Sequence, residues 1–217
     1  MNIIMRKEQE KDYREVEELT REAFWNHHSP GCDEHYLVHI MRTAPTFVKE
    51  LAYVAVDNDR IVGNIMYTET YILGDDNEKY PILCFGPVSV LPEYQGKGIG
   101  SKLIEHTKMI AKDLGYQAIL IFGDPEFYKK VGFVGAETYS IGTSWNTYAV
   151  PLLACELVEG ALSGCQGRFM EGEIYEIDKE EAEEFDKTFP PKEKMLGLPS
   201  QKRFSELVAM NKPRVQV

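Results

Sequence analysis

A glycine-rich segment, Gln95-Gly96-Lys97-Gly98-Ile99-Gly100-Ser101-Lys102, has the residue types that point most directly to chemistry in this chain. It follows an apolar stretch that ends at Val90 and opens an amphipathic stretch that predicts a helix over residues 98–114. The first N–H groups of a helix lack intrahelical partners, and the helix dipole gives them partial positive charge. Glycines let a ligand approach this backbone closely. The segment therefore predicts a phosphate-binding site at a helix N-terminus.

The spacing of the glycines separates three kinds of phosphate-binding loop. A P-loop has the pattern GxxxxGK[ST], but Gly96 and Gly100 lack that spacing, and Ser101-Lys102 stand in the reverse order. A Rossmann fingerprint has the pattern GxGxxG, but Ser101 stands three residues after Gly98. The pattern that remains is Gln95-x-x-Gly98-x-Gly100.

The remaining pattern resembles the pyrophosphate-binding motif of the GNAT superfamily of acyl-CoA-dependent N-acetyltransferases. Residues 88–92 look like the strand that precedes this motif in the family and the point at which the chain leaves that strand. The segment Phe127-Tyr128-Lys129-Lys130-Val131-Gly132-Phe133 looks like the family's FYxKxGF-type segment. The similarity covers residues 3–133 in organisation, and the region after Phe133 is more loosely similar to the YhbS-like branch.

The resemblance implies acetyl-CoA as a co-substrate, with no metal. The pantetheine arm would pair with exposed main chain of the strand that ends at Val90, as an added strand does. The pyrophosphate would lie on the N–H groups of the glycine-rich segment, with Lys97 and Lys102 near the phosphates. The residues expected to bind the coenzyme are Val88, Val90, Gln95, Gly96, Lys97, Gly98, Ile99, Gly100, Ser101 and Tyr128.

The same resemblance implies transfer of the acetyl group to a primary amine by direct attack in a ternary complex. Tyr128 matches the family's tyrosine near the coenzyme sulfur, so it is the expected general acid for the departing thiolate. Some members have a glutamate on the fourth strand, but Cys84 stands at that position here. Glu69 on the third strand is the expected catalytic carboxylate that helps to deprotonate the amine. The alternatives, acting through water, are Glu34, His27 and His28.

Apolar periodicity and turn signals predict the element order β-α-α-β-β-β-α-β-α-β-β. Strands over residues 51–56, 60–73 and 80–90 form an antiparallel meander, and the helix over 98–114 with a strand over 118–122 forms a parallel βαβ unit. The fold class is α/β (mixed α+β), with a GNAT-like mixed central sheet flanked by helices. We expect an acyl-CoA N-acyltransferase domain over residues 1–177. An acidic helix and tail over 178–217 would pack on this domain or extend it.

Composition limits the partners. A formal net charge of −11, from 24 Lys and Arg against 35 Asp and Glu, disfavours a nucleic-acid partner. No apolar run approaches the roughly 18 residues of a membrane span, and no targeting signal stands out, so a cytoplasmic protein away from the membrane is expected. The four cysteines form no CxxC pair and are expected to be free thiols. The expected partner is a small-molecule or peptide amine. The sequence is also compatible with a homodimer.

Two other functions are compatible with the sequence. The absence of a carboxylate at Cys84 keeps open a non-catalytic acyl-CoA-binding module that senses the coenzyme. His35 and His39 have the i, i+4 spacing of zinc ligands on a predicted helix. A metal-dependent hydrolase is therefore the second alternative function. No third ligand with recognisable spacing follows them, so a metal site is not expected.

Overall fold

The fold is described from a computed structural model, which defines the placement of residues 2–214. Within those residues the strands are β1 (Ile3–Lys7), β2 (Phe47–Asp57), β3 (Arg60–Gly74), β4 (Lys79–Phe85), β5 (Ser89–Val90), β6 (Ala118–Phe122), β7 (Val134–Gly135), β8 (Ile141–Gly142), β9 (Thr147–Ala149), β10 (Leu152–Glu156), β11 (Gly167–Met170) and β12 (Asn211–Pro213). The α-helices are α1 (Tyr13–Phe24), α2 (Glu34–Met41), α3 (Ile99–Asp113), α4 (Pro125–Tyr128), α5 (Lys179–Asp186) and α6 (Pro199–Ala209).

A mixed sheet forms the centre of the molecule, in the order β1-β2-β3-β4-β6-β10-β7. Strands β1 to β4 are antiparallel neighbours, whereas β4 and β6 are parallel and are connected through α3. Strand β3 is long enough to pair with β2 and then with β11 on one edge, while β4 and β5 pair along the other. This arrangement confirms the predicted mixed α/β fold with an antiparallel meander followed by a βαβ unit.

Apolar side chains from both faces of the sheet form the core. Val16 and Leu19 of α1 are buried on one side, and Leu103 and Ile104 of α3 are fully buried on the other. Val16 and Leu19 are three residues apart, and Leu103 and Ile104 are adjacent, so each pair lies within the apolar stripe of its helix. The sheet between them is thereby covered by helices, which fixes the ends of β4 and β6 relative to the N-terminus of α3.

The strand predicted over residues 80–90 is interrupted, which corrects the sequence-based boundary. Strand β4 ends at Phe85, and pairing with β3 resumes at β5 after Gly86-Pro87-Val88. Proline lacks an N–H group for a ladder, so the interruption at Pro87 has a local cause. At Gly86 a Cβ would lie 2.6 Å from the Met41 sulfur, so glycine lets α2 approach the strand closely.

Two further segments differ from the sequence-based expectation. The strand predicted over 148–157 is split into β9 and β10 around Val150-Pro151, and β9 pairs with β12 in a separate two-stranded sheet. The strand predicted over 168–177 ends at Met170 and continues as a 3-10 turn, Glu173–Tyr175. Helix α6 was not predicted, because its apolar positions have weak periodicity.

The C-terminal segment is tied to the first two helices and to α4. Asp186 of α5 accepts a hydrogen bond from Arg21 at 2.6 Å, and Gln201 of α6 donates to the Asn26 carbonyl at 3.1 Å. Phe204 stacks on His28 with a centroid distance of 4.5 Å. Residues 178–214 thus pack on the preceding residues. The domain boundary at 177 stays a prediction, and residues 215–217 of the expected tail lie outside the described residues.

Helices within residues 2–214 are all too short or too polar to cross a membrane. The cysteines Cys32, Cys84, Cys155 and Cys165 all lie within these residues and are free thiols, as the sequence predicts.

Buried His35 makes folding sensitive to acid. Its side chain has no exposed surface, and burial lowers its pKa from 6.5 to about 4, although Asp186, 3.1 Å away, opposes this shift. The unfolded chain therefore binds the proton more readily as pH falls below about 6.5. We expect the free energy of unfolding to fall by about 2 kcal/mol from this group between pH 7 and pH 5.

Denaturant titrations at the two pH values measure that loss. The variant His35→Gln has no titratable ring, so its free energy of unfolding should change less than that of the parent over the same interval. Arg21 and Glu34 also face His35. Both residues are present in the parent and in the variant, so the comparison isolates the titration of His35. Equal pH dependence in parent and variant would contradict the prediction.

Candidate active site

A cavity of about 750 Å³ lies beside the gap between the parallel strands β4 and β6. Five parts of the chain line it: the end of α1 and the start of α2, the strand break after β4, the glycine-rich segment, the start of α4, and the residues after β11. The sequence separates these parts by up to 150 residues, and the sheet order brings them together. The residues that line the cavity include Phe24, His27, His28, Glu34, Cys84, Val88, Val90, Gly98, Gly100, Ser101, Asp124, Tyr128, Glu171 and Tyr175.

The glycine-rich segment presents free backbone donors to this cavity. Gly98 is the N-cap of α3 with a φ of 79°, a left-handed conformation that favours glycine. The first intrahelical bond runs from the Lys102 N–H to the Gly98 carbonyl at 3.0 Å, and no side chain caps the helix within the described chain. The N–H groups of Ile99, Gly100 and Ser101 are therefore left without helical partners. This geometry suits a phosphate group.

The two lysines expected near the phosphates do not line the cavity. The Lys97 ammonium donates to the Glu93 carbonyl at 2.7 Å, which directs it back along the loop. Neither Lys97 nor Lys102 is among the lining residues, whereas Gln95, Gly96, Gly98, Ile99, Gly100 and Ser101 are. The structure therefore favours backbone N–H groups over lysine charge as the donors at this place.

Main-chain groups of Val88 and Val90 face the gap. The Leu91 N–H donates to the Val62 carbonyl at 3.0 Å, and Ser89 pairs with Asn64, so residues 89 and 91 direct their bonding groups toward β3. Alternation along a strand then directs those of Val88 and Val90 to the opposite side. On that side β4 and β6 pair only at Leu83 and Ile119, which leaves the gap open at the level of β5.

Tyr128 lies at the end of α4, where its ring is packed and the residue lines the cavity. The ring contacts Phe127 and Phe133 at centroid distances of 4.8 and 5.6 Å. Its hydroxyl has no hydrogen-bond partner within residues 2–214, and burial raises the pKa of the phenol well above its usual range. Tyr128 is therefore protonated at neutral pH and able to donate. Gly123 makes room for the ring, since a Cβ there would lie 2.2 Å from it.

Cys84 and Tyr175 form a second cluster in the cavity. Thr68 and Cys84 are cross-strand partners, and the Thr68 hydroxyl lies 3.0 Å from that of Tyr175. Burial raises the pKa of the Cys84 thiol, which is therefore neutral at physiological pH. Burial also raises the pKa of Tyr175. The position where some relatives have a strand carboxylate is thus occupied by neutral groups.

Glu171 is a cavity residue that the sequence analysis did not single out. It follows β11 directly, and desolvation, with a smaller contribution from Glu176, raises its pKa to about 7. Glu171 is an exposed residue that lines the cavity, and the protein atoms near its carboxyl group account for that desolvation. In the sequence it is one carboxylate in an acidic region, and only the pairing of β11 with β3 brings it to the site.

The other base candidates have distinct environments. Glu34 and His28 line the cavity and bond to each other at 2.9 Å, and burial lowers the pKa of His27 beside them. Glu69, the expected catalytic carboxylate, is not a lining residue. Its carboxylate accepts a hydrogen bond from Tyr116 at 2.6 Å, at the end of α3. The structure therefore does not bring Glu69 together with Tyr128, because its neighbour Thr68 is the residue that shares a face with Cys84.

The two histidines on α2 lie beside different carboxylates. His35 is buried beside Asp186, and His39 Nδ1 lies 2.9 Å from the Glu17 carboxylate. Within residues 2–214, no three His, Cys, Asp or Glu side chains converge as metal ligands would.

A parallel strand pair that opens into a gap, with a helix N-terminus at its mouth, is the architecture that the sequence resemblance implies. Residues 49–135 match the family model for the acetyltransferase (GNAT) domain. This part of the chain is therefore similar to the GNAT N-acetyltransferase domain.

Individual N-acetyltransferases share this similarity. The N-acetyltransferase YhbS of Escherichia coli K12 is 25% identical over 118 residues, which are 54% of this chain and 69% of YhbS. The N-acetyltransferase YjhQ of the same organism is 33% identical over 88 residues, which are 38% of this chain and 45% of YjhQ.

Solved structures share the fold. The crystal structure of E. coli YhbS in complex with CoA has a TM-score of 0.72 and 22% identity, covering 82% of this chain and 93% of that one. A GNAT acetyltransferase from Brucella melitensis in complex with acetyl-CoA has a TM-score of 0.63 and 24% identity, covering 80% and 98% of the two chains. These structures confirm the predicted GNAT-like fold.

Proposed function

We propose that this protein transfers the acetyl group of acetyl-CoA to a primary amine by direct attack in a ternary complex. The observation that carries the proposal is the shared cavity: the free N–H groups at the start of α3 and the Tyr128 hydroxyl line the same space. One end suits a pyrophosphate and the other holds a proton donor. The free thiols of the chain fit a reducing compartment, so a cytoplasmic location is part of the proposal.

Acetyl-CoA would lie along the gap between β4 and β6. Its pyrophosphate accepts hydrogen bonds from Ile99, Gly100 and Ser101, where the helix dipole adds favourable charge. Its pantetheine arm pairs with main-chain groups of Val88 and Val90, as an added strand does. Two co-crystallised relatives support this choice of acyl donor, since their structures contain CoA or acetyl-CoA.

The reaction needs stabilisation of the oxyanion and a proton for the departing thiolate. The amine attacks the thioester carbonyl carbon, and a backbone N–H of the interrupted strand stabilises the oxyanion that forms. As the C–S bond breaks, the thiolate takes a proton from the Tyr128 phenol. The same dry surroundings that raise the pKa of this phenol also make the thiolate a stronger base, which favours the transfer.

The acceptor would enter from the end lined by Phe24, His27, His28, Glu34 and Glu171. An aromatic wall with carboxylates suits an amine that carries an apolar portion, in a small molecule or a peptide. Glu34 is already bonded to His28, so the ammonium group meets Glu171 as the carboxylate without a basic partner within residues 2–214.

Binding of acetyl-CoA is expected to stabilise the protein. At a hundredfold excess over the dissociation constant the free energy of unfolding should rise by about 2.7 kcal/mol, because the ligand binds only the folded state. Thermal melting with and without acetyl-CoA measures this effect. S-acetylpantetheine, which lacks the pyrophosphate and the nucleotide, is the matched control and should stabilise far less. No shift with millimolar acetyl-CoA would contradict the proposal.

Catalysis is distinguished from coenzyme sensing by thiol release. A panel of primary amines with acetyl-CoA should yield free CoA faster than acetyl-CoA alone for at least one amine. Binding of acetyl-CoA with no amine-dependent thiol release would instead support the non-catalytic sensing module.

A further inference from the structure

We propose that Glu171 is the general base of the reaction and accepts the proton of the acceptor ammonium group before attack. This inference rests on the proposed function, since it assigns a role within the same cavity. It gives the missing strand carboxylate a replacement from a different part of the chain.

The backbone at Glu171 is fixed on the central sheet. Strand β11 pairs antiparallel with β3, with Met170 opposite Tyr71, so the residue after Met170 leaves the sheet at a defined point. The Thr70 hydroxyl donates a hydrogen bond to the Met170 carbonyl, immediately before Glu171. A base must be positioned before its pKa matters, and this attachment positions Glu171 more precisely than a free loop would.

Glu171 reaches the region that Cys84 occupies. Both residues line the cavity together with Tyr175, and the charge of Glu171 raises the pKa of the Cys84 thiol and of the Tyr175 phenol. Cys84 stands where some relatives have a strand glutamate. The charge absent from β4 is therefore supplied by the segment after β11.

Glu171 differs from the other carboxylates that line the cavity. Asp124 pairs with Arg203 at 3.1 Å and Glu34 with His28 at 2.9 Å, whereas Glu171 has no basic partner within residues 2–214. An incoming ammonium group can therefore serve as its counterion without displacing a protein cation. The acceptor class is then a cationic amine whose carbon neighbours carry no carboxylate, since a second anion beside Glu171 would be repelled.

The electrostatics suit proton transfer near neutral pH. Desolvation and the charge of Glu176 raise the pKa of Glu171 to about 7, so a large fraction can accept a proton and release it again. The titratable groups that line this cavity with Glu171 are His27, His28, Glu34, Cys84, Tyr94, Asp124, Tyr128, Lys130 and Tyr175. Burial raises the pKa of Cys84, Tyr128 and Tyr175, which are therefore neutral at that pH.

The protons balance over one turnover. An N–H bond of the ammonium breaks and its proton moves to a Glu171 oxygen, which frees the nitrogen lone pair for attack on the acetyl carbon. The nitrogen loses a second proton as the C–S bond breaks and the thiolate takes one from Tyr128. That second nitrogen proton restores the Tyr128 phenol, and the proton on Glu171 leaves to solvent. The products are the amide, the CoA thiol and one proton.

The test compares Glu171→Gln with the matched variant Glu176→Gln over a pH series, using the best amine from the thiol-release panel. For Glu171→Gln we expect kcat/KM at neutral pH to fall by about 10² to 10⁴-fold, with acetyl-CoA affinity unchanged. The loss should be smaller at about pH 9, where more of the amine is already neutral. For Glu176→Gln the rising limb of the profile should move to lower pH, because a charge that raises the pKa of Glu171 is gone.

A second variant, Glu171→Asp, guards against a merely structural loss, since it keeps the carboxylate and should keep the rising limb at a reduced rate. Glu171→Gln that retains more than a third of the parental kcat/KM at neutral pH would overturn the proposal. An equal loss at both pH values with a raised KM for the amine would also overturn it, because that result indicates ammonium binding alone. A rising limb that stays at its parental pH in Glu171→Gln would transfer the role to His27. A parent protein that binds acetyl-CoA but acetylates no amine would refute the proposed function instead.

Discussion

Gly100→Asp is expected to abolish acetyl-CoA binding while leaving the fold intact. The new carboxylate would stand at the helix N-terminus where the pyrophosphate is proposed to lie, and like charges in contact cost several kcal/mol. This corresponds to a loss of at least about a hundredfold in affinity. In the free protein the same change is expected to stabilise, because aspartate in the first turn interacts favourably with the dipole of α3. Titration calorimetry and thermal melting measure the two opposite effects.

Two companion variants separate charge from space and strain. Gly100→Ala places a Cβ at ordinary contact distances, 3.5 Å from Phe127 and 3.6 Å from Val88, so it should fold normally and bind more weakly than the parent. Gly98→Asp should also abolish binding, but its φ of 79° adds backbone strain that lowers stability. Unchanged affinity in both aspartate variants would remove this loop from the coenzyme site.

Tyr128→Phe is expected to lower turnover by about 10² to 10⁴-fold with little change in the dissociation constant of acetyl-CoA. The substitution keeps the contacts with Phe127 and Phe133 and removes only a hydroxyl that has no partner within residues 2–214. Only the proton for the departing thiolate is lost. Steady-state kinetics measures turnover, and a separate binding titration measures the dissociation constant of acetyl-CoA.

Tyr175→Phe is the matched control, since Tyr175 is a second phenol in the same cavity whose hydroxyl lies beside Thr68. It should cost much less turnover than Tyr128→Phe. A loss of less than about threefold in Tyr128→Phe would favour a packing role for this ring. A large loss confined to Tyr175→Phe would move the acid role to that residue.

The glycine-rich loop and the helix that it opens could be predicted from the sequence because their signals are local. Gly98 and Gly100 are adjacent to the helix they open, and the apolar stripe of α3 is visible in the sequence itself. The interruption at Pro87 also has a local signal, because a proline in a central strand cannot complete the ladder. These features depend on a few neighbouring residues.

The acceptor end depends on pairing between distant segments, which one sequence does not reveal. Glu171 reaches the cavity only because β11 pairs with β3, about a hundred residues earlier, and in isolation it resembles any solvated carboxylate of an acidic stretch. Glu69 was a reasonable expectation on the third strand, yet the register that pairs Thr68 with Cys84 turns it toward Tyr116. A shift of one residue along a strand changes the face, and composition does not determine that register.

The tie between the C-terminal segment and the first helices has a consequence for the order in which the molecule is completed during synthesis. Translation makes the glycine-rich segment and Tyr128 before Glu171, Arg203 and Phe204 exist. A nascent chain can therefore form the start of α3 and place Tyr128 before Glu171 joins the cavity. The hydrogen bonds of α6 to Asn26 and Asp124 form later still, so the side of the cavity proposed to receive the amine is completed by the last part of the chain to be synthesised.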